Sequence, residues 1–405
     1  MAMEMVGKLS VHLKSPPDPG YNLIICSILP ARPVFLLFTI HTLVTEINYR
    51  GGMDMGGRTR KKKKPLIHSV NWLENDLRQE WVAQWEMKIK TLERINLDVW
   101  KIDGDRGVKK LTRVYWAPER LLLLEAFLDH LGRSGFKAIP RWIKTREGSG
   151  WITRDGDSFF LSDWPEGNPV KLLDPEQVLP LMTTLARLHY HSRDFKPPTA
   201  GIRNNLGQWP HQWQQVRQQL LNWRYPKEES PRETDNDDQV AQEVFDPLIK
   251  QITRALNILA DSRYDEMITI AQNQPFICNN SFHEASLLVT PRKETYVSDF
   301  ENCIFDLRVY DLGRFLRRVL YRFKWDHDLG QKGLKAYEAI MPLSPAERRV
   351  LLAYLWFPDP ALTFIQFYFY APSSAQKNRL KVGLQQKSCY QWAREQFLNW
   401  MEEQI

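Results

Sequence analysis

The sequence predicts an α+β chain of two lobes: a small β-rich first lobe carrying one main helix, and a larger, mostly helical second lobe. Three observations carry this expectation. Short apolar segments separated by turn residues crowd residues 97–164, broken by one apolar helical stretch at 117–136. From about residue 170 the apolar residues recur at helical spacing. A single hairpin-like stretch, residues 286–300, gathers polar and ionisable residues inside the helical half. With 405 residues, 43% hydrophobic and 12% aromatic, the chain has enough apolar material for one two-lobed domain or two ordinary ones.

The segment before the lobes reads differently. Residues 1–64 hold ten Lys/Arg against four Asp/Glu, so nearly all of the net charge of +7 sits there, mostly in the run Arg58-Thr59-Arg60-Lys61-Lys62-Lys63-Lys64. Such a run is ordinarily a solvated tether, and the near-neutral remainder argues against nucleic acid as a partner. The apolar stretch "YNLIICSILPARPVFLLFTIHTLV" is cut by Pro30, Arg32 and Pro33, whereas a spanning helix needs about 20 continuous apolar residues, so no integral membrane segment is expected. Residues 1–64 are therefore read as an extension, disordered or an over-long assigned start, with 65–168 as the first lobe and hinge and 169–405 as the helical lobe. Cys26, Cys278, Cys303 and Cys389 show neither CxxC pairs nor His partners, which signals no disulfide framework and no zinc site.

Taken in order, "WLENDLRQEWVAQWEM" has helical spacing, and "NLDVWKI" and "GVKKLTRVYW" read as strands around the turn at Asp103–Gly107. In "APERLLLLEAFLDHLGRSGF", Pro118 suits a first helical position, Glu119 suits a helix N-terminus, and Gly132 and Gly135 supply stop signals. "PRWIKT", "GWITRDG" and "SFFLSDW" continue as short strands. Residues 176–192, 207–224 and 236–260 are helical by periodicity, with 226–238 a polar loop between them. "SLLVT", "PRKE" and "TYVSDF" form a hairpin, and Ser344, Pro345 and Glu347 open a helix over 344–357 with a capping box.

From about residue 75 to 400 the chain resembles the CotS-type bacterial spore coat family, a branch of the aminoglycoside phosphotransferase and choline kinase group. The residues that carry the resemblance are "APERLLLLEAFLDHLGRSGF", "FFLSDWPEGN", "LARLHYHSRDFKPP", "NNLGQWPHQW" and, most specifically, "YVSDFENCIFDLRVYDLGRFLRR". It implies a bilobal protein-kinase-like fold. It also implies ATP and Mg2+ as cofactors, with charge neutralisation on the phosphates, a positioned metal and an oriented acceptor hydroxyl. In such proteins a strand lysine is held by a glutamate of the following helix; here Lys109 or Lys110 is the lysine, Glu125 the glutamate, and Glu119 a weaker partner. Adjacent lysines on a strand can equally be a solvated edge. Asp163 and Trp164 fall at the hinge that contacts adenine, where an aromatic side chain can instead pack between lobes. No GxGxxG loop precedes Lys109. Asp299 matches the metal-binding aspartate, and Asp311 the structural aspartate that orders the catalytic loop, with a helix N-cap as its plainer alternative.

The catalytic loop departs from the family pattern His-Gly-Asp-Phe-His-x-x-Asn. This chain reads Asn279-Asn280-Ser281-Phe282-His283-Glu284-Ala285-Ser286. Ser281 stands at the catalytic aspartate position, and a serine hydroxyl cannot act as a general base near neutral pH; losing a positioned base costs about 10² to 10⁴ in rate. Ser286 stands at the metal-binding asparagine position and is a shorter, poorer ligand. Asn280 replaces a glycine, although Asn tolerates left-handed backbone better than most residues. His283 and Glu284 are titratable neighbours, but the family pattern already has histidine at 283 beside its aspartate, which argues for a structural role there. The resemblance and these losses together imply a pseudokinase-like protein of the spore coat or its assembly. It would be made in the cytoplasm of an endospore-forming bacterium, with other coat proteins as partners. An active ATP-dependent phosphotransferase on a small-molecule hydroxyl is the alternative.

Overall fold

The computed structural model describes residues 82–224, 245–359, 362 and 390–405, all within one compact unit running from Leu66 to Ile405. The N-terminal extension with its basic run and apolar stretch, the polar loop 226–238, Cys26 and Cys389 lie outside the described residues.

The first lobe is a five-stranded antiparallel sheet. Strands β1 (Ile89–Arg94), β2 (Val99–Gly104), β3 (Gly107–Val114), β4 (Trp151–Arg154) and β5 (Asp157–Asp163) stand in the order β1-β2-β3-β5-β4. Alternation sends successive side chains of each strand to opposite faces. Trp100, Ile102, Leu111, Phe159 and Leu161 point one way and form a small outer core with Trp85 and Met87. Val114 and Phe160 point the other way and join the main core with Leu121, Leu124 and Phe127 of helix α1 (Pro118–Ser134). Helix α1 begins at Pro118 and closes on Gly135, whose φ of 110° is the left-handed cap that a glycine adopts at little cost. It runs through Gly132, so of the two expected stop signals Gly135 is the one used.

Two expectations for this lobe need correction. Of the helical stretch expected at 72–87, residues 72–81 lie outside the described residues and Val82–Trp85 form a 3₁₀ turn in place of a longer helix, after which the chain turns at Glu86 (φ 51°) into β1, a strand with no expectation behind it. "PRWIKT" contributes a single bridge, Trp142 to Ser162, instead of a strand. Its apolar residues pack as rings: Trp142 stacks on Phe160 at 4.3 Å, and such packing does not require strand pairing.

The second lobe is built on helices α2 (Val178–His191), α3 (Trp209–Arg224), α4 (Asp246–Ala260), α5 (Tyr264–Asn273), α6 (Val309–Arg322), α7 (His327–Glu338), α8 (Pro345–Trp356) and α9 (Gln391–Glu403). The capping box expected for α8 is present: Ser344 Oγ accepts the Glu347 N–H at 3.2 Å, and Glu347 accepts the Ser344 N–H at 2.9 Å. Trp209, Trp213, Tyr264, Tyr310, Tyr354 and Phe357 pack as a chain of rings between α3, α5, α6 and α8. Two small sheets seat the polar hairpin in this lobe. β9 (Leu287–Val289) pairs with β10 (Thr295–Val297) and with β6 (Asn168–Pro169). β11 (Ile304–Phe305) lies between β7 (Arg203–Asn204) and β8 (Ile277–Cys278). No described helix is long and apolar enough to cross a membrane.

Candidate active site

The loop from Asn279 to Ser286 leaves β8 and is held from below by α6. Asp311, buried and third in that helix, turns its carboxylate toward the loop and accepts the main-chain N–H groups of Asn279 at 2.5 Å and Asn280 at 2.9 Å. Helix α6 starts at Val309 with Arg308 in the cap position, so Asp311 is not its N-cap. Behind Asp311 stands His189, fully buried, with Nε2 3.6 Å from the carboxylate and Nδ1 2.6 Å from the Tyr337 hydroxyl. Burial pushes the His189 pKa below its ordinary value, against the pull of Asp311. Asn280 takes φ 57°, the left-handed conformation that Asn tolerates and a glycine would adopt freely.

The polar side chains of the loop are turned inward. The Asn279 amide donates to the Asp299 carbonyl at 2.6 Å and accepts the Ser281 N–H at 3.1 Å. The Asn280 amide donates to the Asn302 carbonyl at 2.9 Å, and Asn302 returns a bond from Nδ2 to Ser281 Oγ at 3.0 Å. Asn279, Asn280 and Ser281 are all buried. The loop and the turn Asp299–Cys303 are therefore laced together by neutral amides and a hydroxyl. Ser286 Oγ lies against the carbonyls of Ser281 and His283, 2.9 Å from the latter, and accepts the His283 N–H at 3.3 Å. It thus closes the 3₁₀ turn Glu284–Ser286.

This arrangement is a poor fit for a bound Mg2+. A magnesium ion requires near-octahedral oxygen ligands at about 2.0–2.1 Å. Of the expected pair, Ser286 is buried and engaged within its own turn, and Asp299 has one oxygen accepting the Glu301 N–H at 2.7 Å. The other Asp299 oxygen is the remaining donor of the pair.

In the first lobe the expected lysine–glutamate pair does not form. Lys109 lies across from Asp163 in the β3–β5 ladder, and Lys109 Nζ reaches Asp163 Oδ1 at 2.6 Å. By alternation Lys109 shares its face with Leu111, on the side of the outer core, while Lys110 shares the α1 side with Val114. Lys110 is thus the lysine on the face toward the helix, directly opposite Lys101 of β2. Glu125 of α1 is engaged elsewhere: Lys144 bridges it and Asp129, at 3.1 Å from the latter. The weaker candidate Glu119 contributes main chain, its carbonyl accepting the Thr199 hydroxyl at 2.7 Å. At the hinge, the Trp164 N–H donates to the Val108 carbonyl at 3.2 Å, and Lys101 Nζ stands 5.3 Å from the centre of the Trp164 ring.

Several residues of the site escaped the sequence reading. Asn302 is one, although an Asn three positions after Asp299 at a turn was a usable signal. Lys144 is another, and nothing local marks it. Arg314 and Arg318, four apart on α6, flank a small cavity that Phe282, His283 and Asp311 also line. Their spacing in "GRFLRR" was legible as one helical face. His283 is partly buried and its pKa is lowered, first by burial and then by the Arg318 charge.

Comparisons with known proteins bear on the family and the fold. Residues 114–401 match the family model described as "Spore coat putative kinase YutH". The chain is 25% identical over 268 residues to spore coat protein S of Bacillus subtilis, covering 64% of this chain and 74% of the relative. It is 24% identical over 272 residues to the endospore coat-associated protein YutH of the same organism, covering 65% and 74%. An aminoglycoside phosphotransferase from Alicyclobacillus acidocaldarius has the same fold, with a TM-score of 0.67 at 21% identity over 80% of this chain and 94% of that one. The spectinomycin phosphotransferase APH(9)-Ia, in its AMP complex, superposes with a TM-score of 0.52 at 12% identity over 77% and 94%. The small sheet, the single helix α1 and the helical second lobe are thus a kinase-like phosphotransferase fold, and the chain belongs to the "Spore coat putative kinase YutH" family.

Proposed function

We propose that this chain is an endospore coat protein whose kinase-like cleft has lost efficient phosphoryl transfer, and that it works through contacts with other coat proteins. The observation that carries the reading is the hydrogen-bond network in which Asn279 bonds the Asp299 carbonyl, Asn280 bonds the Asn302 carbonyl and Asn302 bonds Ser281 Oγ, so that the position of the catalytic base is a buried hydroxyl. General base catalysis needs a titratable acceptor within reach of the substrate hydroxyl, and the side chains that meet here, Asn279, Asn280, Ser281 and Asn302, are amides and a hydroxyl. The inward-turned Ser286 and the diverted partners of Lys109 and Glu125 support the same reading. The coat location and the coat partners are supported by the relatives named spore coat protein S and endospore coat-associated protein YutH.

Nucleotide binding is a separate matter from transfer. The neighbour APH(9)-Ia has been seen with AMP and with ADP and spectinomycin. In this chain Lys110 and Lys101 face one another on the α1 side of the sheet, where a phosphate chain would relieve their repulsion. The test is a thermal melt with Mg-ATP, alongside ADP release over a panel of amino alcohols, sugars and hydroxyl peptides. It would use wild type, Asp299→Ala and the double variant Ser281→Asp/Ser286→Asn. No turnover in wild type is expected, with turnover appearing in the double variant. Robust turnover in wild type would establish the alternative, an active phosphotransferase on a small-molecule hydroxyl.

A further inference from the structure

The geometry points to a metal-independent oxyanion site in the cavity under the degenerate loop, where Arg314 and Arg318 would hold a phosphoryl group against His283. The cavity is lined by Phe282, His283, Asp311, Arg314 and Arg318. Arg314 is half-buried and donates from Nη1 to the Tyr310 hydroxyl at 2.8 Å. Among the described residues no carboxylate lies within ion-pair distance of it. Burying a guanidinium is costly unless its charge is compensated, and here the Tyr310 hydroxyl, Tyr354 and the field of Asp359 offset the burial. Asp311 lines the same cavity, and its two oxygens accept the Asn279 and Asn280 N–H groups.

Arg318 lies one helical turn further on, on the same face, and is 41% exposed. It contacts the Glu284 carboxylate at 3.2 Å, from the loop itself. A pair this open to solvent is weak, so an incoming anion can take its place. Glu284 then acts as a built-in competitor that occupies Arg318 when the cavity holds no ligand.

Two guanidinium forks one turn apart select the ligand's chemistry. A carboxylate offers two oxygens and satisfies one fork, whereas a phosphate monoester offers three and a double charge, enough for both. The His283 ring lines the same wall and can add a ring N–H. The site needs no metal, and Phe282 and His283 line it while Asp299 does not. The proposal rests on the preceding reading in one respect: the cleft is taken not to be committed to Mg-ATP turnover.

The experiment is calorimetric titration of the full chain with inorganic phosphate in EDTA, with turnover measured separately so that each reading can fail alone. Saturable binding is expected. It should weaken at least tenfold in Arg314→Gln and severalfold in Arg318→Gln, and tighten severalfold in Glu284→Gln, which removes the competitor. Because Arg314→Gln replaces a half-buried group, its unfolding midpoint is recorded alongside; the exposed Arg318→Gln and the oppositely signed Glu284→Gln keep the test decisive if that variant does not fold. Parallel titrations with an O-phosphoserine peptide and with ADP separate a protein-borne phosphate from a nucleotide as the source. No binding by any of the three probes, binding indifferent to Arg318→Gln and Glu284→Gln, or binding that requires Mg2+ would overturn the proposal.

Discussion

Replacing Asp311 with alanine tests whether the loop is held as a structural element. The carboxylate is buried and accepts two main-chain N–H groups, from Asn279 at 2.5 Å and Asn280 at 2.9 Å, while His189 stands 3.6 Å away. Truncation leaves both donors buried without partners, and an orphaned buried donor costs about 1–3 kcal/mol, so the two together cost about 2–6 kcal/mol. Native domains are stable by only about 5–15 kcal/mol, so the loss is large. Asp311→Asn keeps one acceptor oxygen and turns an amide N–H toward the other donor, which should cost about half as much. The assay is urea unfolding followed by circular dichroism, with the midpoint falling in the order wild type, Asn, Ala at a constant slope. An alanine variant within about 0.5 kcal/mol of wild type would refute the reasoning, since that is the range of inconsequential surface changes.

Three further outcomes follow from the same geometry. Asp306 is fully buried beneath bonds from Asn205 at 2.5 Å and Trp209 at 3.0 Å, yet burial outweighs them and pushes its pKa up to about 7. The folded chain therefore keeps this proton above the ordinary aspartate range; the stability it contributes is full below about pH 4 and lost as the pH rises to 7. His189, lowered by burial, acts oppositely and costs stability as the pH falls below about 6.5. The stability difference between wild type and Asp306→Asn should thus grow from pH 7 to pH 4 in urea titrations, and a constant difference would contradict the assignment. Lys144→Ala leaves Glu125 and Asp129 facing each other; because Lys144 is 42% exposed, a loss of only about 0.5–1 kcal/mol is expected in the unfolding midpoint. Asn280→Ala keeps a Cβ at φ 57° without the tolerance Asn has for that conformation and removes the bond to Asn302, so it should cost more than Asn280→Gly, which loses the bond alone, and equal midpoints would argue against strain there.

What the sequence made legible was whatever depends on local pattern. Pro118 and Gly135 bounded α1, Ser344 and Glu347 capped α8, and the hairpin between Leu287 and Val297 formed where β-branched and turn residues said it would. The departures at 281 and 286 from the family pattern stood out because Phe282 and His283 held the register. What escaped depends on which face a residue meets. Lys109 and Lys110 differ by one position, which on a strand is the whole difference between the outer core and the α1 side, and only the packing of Leu111 and Val114 decides it. The Glu125–Lys144 pair joins residues 19 apart through a segment that forms no strand, so no periodicity announces it. Asn302 and Arg314 act only because the turn and α6 approach the loop in space. Uncharged side chains at 279, 280 and 281 can be buried and bonded to one another and to the facing turn, where an aspartate would have to stay solvated or paired.

The most direct measurement is steady-state ADP release from Mg-ATP by the purified wild-type chain across the acceptor panel, beside the Ser281→Asp/Ser286→Asn variant. The account predicts no turnover above background in wild type and measurable turnover in the variant. Wild-type turnover at ordinary phosphotransferase rates, or a variant slower than wild type, would contradict it.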